Sequence, residues 1–256
     1  MEIISFFSFK GGVGRTALLT NLGVHWANEG KTVVLVDMDL AAPGLTLLPM
    51  TGDWLAEDAR GMGVSDLLTA FHEGVDKGNL ALLPPSILLR DMNDPTVDRF
   101  DKDAKHWKGK GRLLLIDAGS PRVVRPGGDK TSDGMPGDIP PLEEPTDRDE
   151  AKQRFALRRL AEAMRDDLDK WTWQAEVEVK DGEVKDGEEP RKQSRKIDYV
   201  LIDCRTGYSE LIDLSLGYLA DRMVVLSGLN EQNQRGLRLT LRALTQTDDA
   251  TVIKPG

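Results

Sequence analysis

Cysteine, histidine and aromatic residues are scarce in this chain: one cysteine, three histidines and 5% aromatics among 256 residues. A lone Cys204 excludes an internal disulfide framework and fits a reducing cytoplasm. His25, His72 and His106 share no ligand spacing with each other or with Cys204, so no zinc site is expected. No apolar run reaches the roughly 18 residues of a membrane helix. The start, Glu2-Ile3-Ile4-Ser5-Phe6, is strand-like and lacks a basic leader, so an ordinary signal peptide is not expected. A cationic surplus is also missing, since the net charge is -9 and the pI is near 5.0. That argues against broad, non-specific affinity for DNA or anionic membranes and leaves only a local basic patch open. No Ser-His-Asp arrangement can be defended from spacing.

What is present suits a soluble globular protein, with 39% hydrophobic and 30% charged residues. The length allows one large α/β domain, or one domain carrying an insertion. Apolar runs at 3–7, 31–37, 79–83, 112–117, 197–203 and 222–226 read as strands buried on both faces of a parallel sheet. Helical patterns over 16–29, 65–73, 149–171, 209–219 and 231–245 alternate with most of them. The pattern predicts a doubly wound, mainly parallel α/β sheet with helices on both faces. Two stretches break the rhythm. Residues 119–148 are rich in Gly, Pro and charge and read as a flexible loop insertion. Residues 176–196 are highly charged with two Asp-Gly pairs, and read as a hairpin or a disordered excursion. Leu157, Leu160, Met164, Leu168 and Trp171 recur at helical spacing and predict a buried helix face.

The chemistry concentrates in Phe9-Lys10-Gly11-Gly12-Val13-Gly14-Arg15-Thr16. Strand, glycine loop and helix follow one another there, the context that a phosphate-binding loop needs. The backbone N–H groups of Gly11, Gly12, Val13 and Gly14 can turn inward around phosphate oxygens. The helix N-terminus adds partial positive charge at the same place. Thr16 offers a hydroxyl to Mg²⁺. The alternative is a tight strand-to-helix turn with no ligand. Downstream, Val34-Leu35-Val36-Asp37-Met38-Asp39 ends a strand in D-x-D, and Tyr199-Val200-Leu201-Ile202-Asp203 delivers a second acid to the carboxyl edge of the sheet. Ligands of open α/β sheets bind at that edge. Asp117, ending Arg112 to Asp117, competes with Asp203 for the metal role and ranks second. Asn230 precedes the last helix and is either a base contact or an N-cap.

The loop departs from the generic G-x-x-x-x-G-K-[ST] pattern at Phe9 and Arg15. It resembles the deviant phosphate loop, K-G-G-x-G-K-[ST], of the ParA/MinD-type P-loop ATPases (SIMIBI class), in a bacterial branch with arginine for the second lysine. The resemblance is specific around residues 9–16, 34–46 and 197–207. It implies ATP and Mg²⁺ as cofactors, and two subunits facing each other across sandwiched nucleotides. It implies that Lys10 acts in trans on the partner's nucleotide, and that Asp39 and Asp203 serve catalysis and, with Thr16, the metal. The segment 42–46 then corresponds to a first switch, and Gly207 presents its N–H to the γ-phosphate from a second. Arg15 keeps the loop's charge but is larger and forked, so it grips phosphate bidentately, slows turnover, or is simply tolerated as an equivalent cation. The function implied is a slow, dimerising switch ATPase, with a bacterial defence or signalling role and a protein effector as partner. A non-hydrolysing nucleotide-dependent scaffold and a DNA-segregation ATPase are the alternatives. The exposed stripe expected for Arg235, Arg238 and Arg242 is the one feature favouring nucleic acid. Membrane targeting is not expected, and GTP in place of ATP stays open because the family's later strand and base-contacting loop are missing or abbreviated.

Overall fold

A computed structural model describes residues 1–45, 62–76, 83–92, 111–119, 147–176, 192–206 and 210–245. Its centre is a six-stranded sheet. In chain order the strands of the protein are β1 (Glu2–Ser8), β2 (Thr32–Asp37), β3 (Arg90–Asp91), β4 (Arg112–Ile116), β5 (Thr172–Glu176), β6 (Lys192–Lys196), β7 (Tyr199–Asp203) and β8 (Arg222–Leu226). The order across the central sheet is β3-β4-β2-β7-β1-β8. Every pairing is parallel except that of β3 with β4. The fold is therefore a mixed, mostly parallel sheet with helices, in agreement with the alternating pattern of the sequence.

The helices are α1 (Arg15–Asn28), α2 (Val64–Asp76), α3 (Asp147–Lys170), α4 (Glu210–Ile212) and α5 (Glu231–Thr245). The runs that read as continuously apolar do so because both sheet faces are covered. Ile3, Phe7, Val34, Val36, Leu114, Ile116, Val200 and Ile202 face one core with Leu67 and Phe71 of α2 and Leu157, Leu160, Met164 and Leu168 of α3. Their neighbours Ile4, Phe6, Val33, Leu35, Leu113, Leu115 and Leu201 face the other core with Leu19 and Ala27 of α1. Each such fully buried aliphatic or aromatic side chain contributes roughly 1.5–3 kcal/mol. A Schellman cap ends α1, with Lys31 N–H donating to Trp26 O (3.0 Å) and Gly30 N–H to Ala27 O (3.0 Å), and turns the chain into β2.

Three departures from the sequence reading have local causes. Asp213–Leu219, which continues α4, is π-helical. The Ser215 carbonyl there accepts the Ser5 hydroxyl of β1 at 2.7 Å, a tertiary bond that helical periodicity does not encode. The strand expected at 79–83 falls almost wholly outside the described residues, and Leu83 is not in a strand. The edge of the sheet is instead the two-residue β3, pairing Arg90 with Leu115 and Asp91 with Leu114. Trp171, expected on the buried face of α3, is half-buried; it packs against the α3-side core.

β5 and β6 form a separate antiparallel pair. It is fastened to the amino ends of the central strands. Trp173 Nε1 donates to Thr32 Oγ1 (3.0 Å), Arg195 Nη1 to Gly30 O (3.1 Å), and the Arg112 guanidinium lies 4.6 Å from the Trp173 ring centre. This hairpin sits at the opposite end of the sheet from the glycine loop. Residues 177–191, which join the two strands in sequence, and residues 120–146 lie outside the described residues. Among the described residues no helix is long and apolar enough to cross a membrane.

Candidate functional site

The parallel register brings the acids together. Asp37 at the end of β2 lies opposite Asp203 at the end of β7, and Phe6 of β1 lies beside Asp203 on the other side. The glycine loop leaves the end of β1 at this edge. Gly12 (φ 77°) and Gly14 (φ 85°) take left-handed backbone that other residues rarely adopt. Gly14 is the N-cap of α1 and offers no side-chain cap, so the first N–H groups of the helix stay available to an anion. Ser8 Oγ donates to Lys10 O (2.9 Å) and steadies the loop's entry.

Arg15 turns inward from the first position of α1 and is buried. Its Nε donates to Asp203 Oδ1, its Nη2 to Asp39 Oδ2 (3.1 Å), and its Nη1 to Ser8 Oγ (3.1 Å). One guanidinium thus ties the carboxyl ends of three adjacent strands. Thr16 Oγ1 donates to the second oxygen of Asp203, Oδ2, at 2.5 Å. The segment after β2 folds back on the same cluster. Asp37 accepts the Asp39 N–H (3.1 Å) and the Leu45 N–H (2.9 Å), which brings Gly44 against Thr16. A Cβ at Gly44 would lie 2.9 Å from Thr16 Oγ1, so the close approach requires glycine.

Asp37, Asp39 and Asp203 are all buried, and Arg15 bonds the last two. Burial, and then the Asp203 carboxylate, push the Asp37 carboxyl up to about 7. Negative charge is in surplus here, which suits a divalent cation. Among the described residues no three His, Cys, Asp or Glu side chains converge to hold a metal. Mg²⁺ is commonly held by one or two carboxylates together with substrate phosphates. Thr16, Asp203 and Asp39 supply the hard oxygen donors, so the residues fit the ion. When bound, it would neutralise phosphate charge next to the loop.

The other candidates separate. Lys10 Nζ donates to Gln232 Oε1 in the first turn of α5, at the rim of the site. Asn230 Oδ1 accepts the Asn233 N–H (2.8 Å), the bond of an N-cap. Asp117 accepts Arg90 Nη1 (2.8 Å) and the Gly119 N–H (2.8 Å), and does not join the Arg15 cluster. Burial raises its pKa, and Arg90 opposes that shift. Cys204, next to Asp203, is buried, and its thiol is pushed up to about 12. Gly207 and Thr46 lie outside the described residues. Arg235, Arg238 and Arg242 are exposed on α5. Ser8, Asp37, Gly44 and Gln232 were not singled out as site residues by the sequence. Asp37 stood in the D-x-D motif and Gly44 in the 42–46 segment, whereas Ser8 and Gln232 had only proximity to a motif to mark them.

Residues 1–47 match the family model described as an AAA domain. Over 116 residues the chain is 34% identical to the cytosolic Fe-S cluster assembly factor CFD1 of Eremothecium gossypii, covering 45% of this chain and 37% of that protein. Over 107 residues it is 34% identical to a virulence plasmid ParA family protein of Chlamydia psittaci, covering 40% of this chain and 38% of that one. The chain therefore spans less than half the length of these curated relatives. Among solved structures, the MinD cell division protein of Aquifex aeolicus aligns over 96% of this chain and 64% of its own, at a TM-score of 0.48 and 16% identity. The fold assignment rests on the strand order and not on that likeness. The AAA-domain match takes in the glycine loop, and over less than half its length the chain is similar to Cfd1- and ParA-type proteins.

Proposed function

We propose that this chain is an ATP- and Mg²⁺-dependent switch ATPase that pairs with a second copy across bound nucleotide. The observation that carries the reading is the convergence of the glycine loop with Thr16, Asp39 and Asp203 at one sheet edge. The loop N–H groups and the start of α1 bind phosphate oxygens. Thr16 and Asp203 hold the metal, and Asp39 orients the water or the ion beside it. Lys10, at the rim and bonded to Gln232 of α5, reaches a partner's nucleotide rather than its own. Gly207 follows the Asp203 segment and reads the γ-phosphate. Coupling of phosphate state to conformation runs through the 42–45 segment, because Leu45 hangs on Asp37 and Gly44 rests on Thr16. A protein effector in a bacterial defence or signalling system is the partner this reading assigns.

A second reading, a nucleotide-dependent scaffold without turnover, is favoured by Arg15. Its guanidinium is spent on the two acids that hydrolysis needs. Light-scattering mass and phosphate release, followed in the same samples with no nucleotide, ATP-Mg²⁺ and ADP-Mg²⁺, separate the two. An ATP-specific dimer that decays as phosphate accumulates supports the switch ATPase. A lasting ATP dimer with no phosphate release supports the scaffold. Neither holds if mass and phosphate never respond, and salt-sensitive DNA binding would restore the segregation reading.

A further inference from the structure

We propose that Arg15 and a divalent cation are alternative occupants of the Asp39–Asp203 carboxylate pair, so that Arg15 keeps the metal out until nucleotide phosphate draws the guanidinium away. The inference rests on the nucleotide-binding reading above and adds a regulatory role for a residue of the same site.

Three observations carry it. First, Arg15 contacts both acids at once, through Nε to Asp203 and Nη2 to Asp39 at 3.1 Å. Those are the oxygens a cation at this edge would use. Second, Ser8 Oγ fixes Nη1 at 3.1 Å, so the fork is held by three strand ends and is not a loose surface side chain. Arg15 is only 7% exposed. Third, Thr16 spends its hydroxyl proton on the remaining Asp203 oxygen, Oδ2. Both Asp203 oxygens and one Asp39 oxygen are therefore already engaged by side chains of this site.

Sharing of the same oxygens favours exchange over joint occupancy. A guanidinium never gives up its proton. Adding a divalent cation to the same buried pair would place like charges within a few ångströms of each other, in surroundings that screen poorly. Phosphate oxygens at the glycine loop resolve the conflict, because a phosphate group can accept two N–H bonds from the Arg15 fork. The metal then takes the acids that the arginine leaves. A lysine, a point charge on a flexible stem, cannot span Asp39, Asp203 and Ser8 together, so the device is particular to arginine at this position. Divalent binding should consequently be strongly coupled to nucleotide, and the coupling is reciprocal.

The test uses Mn²⁺ as the probe, read by electron paramagnetic resonance, on the full chain as wild type, Arg15→Lys and Arg15→Gln. ATP binding is measured separately on each protein by fluorescence of a labelled nucleotide in EDTA. Without nucleotide, wild type is expected to bind Mn²⁺ about tenfold or more weaker than Arg15→Gln, with Arg15→Lys between them. Adding ATP should abolish most of that difference. Thermal unfolding gives an independent readout: Mn²⁺ alone should raise the melting temperature of Arg15→Gln and leave that of wild type unmoved. If Arg15→Gln does not fold, Arg15→Lys against wild type decides the matter by the same criterion. Equal Mn²⁺ affinity in wild type and the variants without nucleotide overturns the inference, even when all three bind ATP. Loss of ATP binding in all three, with the Mn²⁺ difference intact, overturns the nucleotide reading and keeps the competition between arginine and metal.

Discussion

Gly44→Ala isolates the link between the 42–45 segment and the Thr16 hydroxyl. Gly44 does not occupy the left-handed region, so alanine suits its backbone and the effect comes from the new methyl alone. That methyl would lie 2.9 Å from Thr16 Oγ1 and 3.1 Å from Thr16 Cγ2. Threonine is stiff at χ1, so Thr16 cannot yield by a small rotation. Either it changes rotamer and loses its 2.5 Å hydrogen bond to Asp203, or the 42–45 segment retreats and strains the Leu45–Asp37 bond. A hydrogen bond to a charged group contributes about 2 kcal/mol, which converts to about thirtyfold in an equilibrium constant. Urea unfolding should show Gly44→Ala less stable than wild type by about that amount. The Mg²⁺-dependent gain in ATP affinity should fall by a similar factor, while affinity in EDTA changes little. Thr16→Ser frees the side chain and removes Cγ2, so the double variant should be less impaired than the sum of the two single changes. Strict additivity, or a Gly44→Ala protein indistinguishable from wild type in both assays, would refute the contact as the route between segment and metal.

Three further outcomes are expected. Asn230→Ala should cost about 1 kcal/mol in urea unfolding through loss of the α5 cap, and should leave ATP affinity unchanged if capping is its role. Lys10→Ala should abolish ATP-driven association in light scattering while each monomer still binds nucleotide. Asp37 has a carboxyl raised to about 7, so the folded state holds its proton more tightly than the unfolded chain, whose carboxyl titrates near 3.9. Its contribution therefore favours folding below about pH 4 and is lost progressively as pH rises from about 4 to 7. In divalent-free buffer the stability difference between wild type and Asp37→Asn should shift by about 2–3 kcal/mol in favour of the variant between pH 5 and pH 8. A difference flat across that range would refute the assignment.

The central strands were legible because their surroundings are uniform. Runs such as Val33 to Val36 and Leu113 to Ile116 are covered on both faces, so they read as unbroken apolar stretches whatever packs on them. β3 left no such trace, since Arg90 and Asp91 meet a single partner strand at the edge. β6 is likewise polar, Lys-Gln-Ser-Arg-Lys, because it pairs with β5 alone and is largely exposed. The π-helical turn after Ile212 accepts a hydrogen bond from Ser5, more than two hundred residues away in sequence. At the site, residue types and spacing revealed a cation at position 15 and acids at 39 and 203. They did not reveal that the cation faces the acids. That depends on the alignment of Asp37 with Asp203 across β2 and β7, a product of sheet assembly and not of any local motif.

Titration calorimetry of ATP into the full chain, with Mg²⁺ and with EDTA, and repeated on Asp203→Asn, tests the central claim most directly. The account predicts saturable binding at one site per chain, strengthened by Mg²⁺ in wild type, with the Mg²⁺ gain lost in Asp203→Asn. No saturable ATP binding by well-folded wild type, or a Mg²⁺ gain that survives the loss of the Asp203 carboxylate, would contradict it.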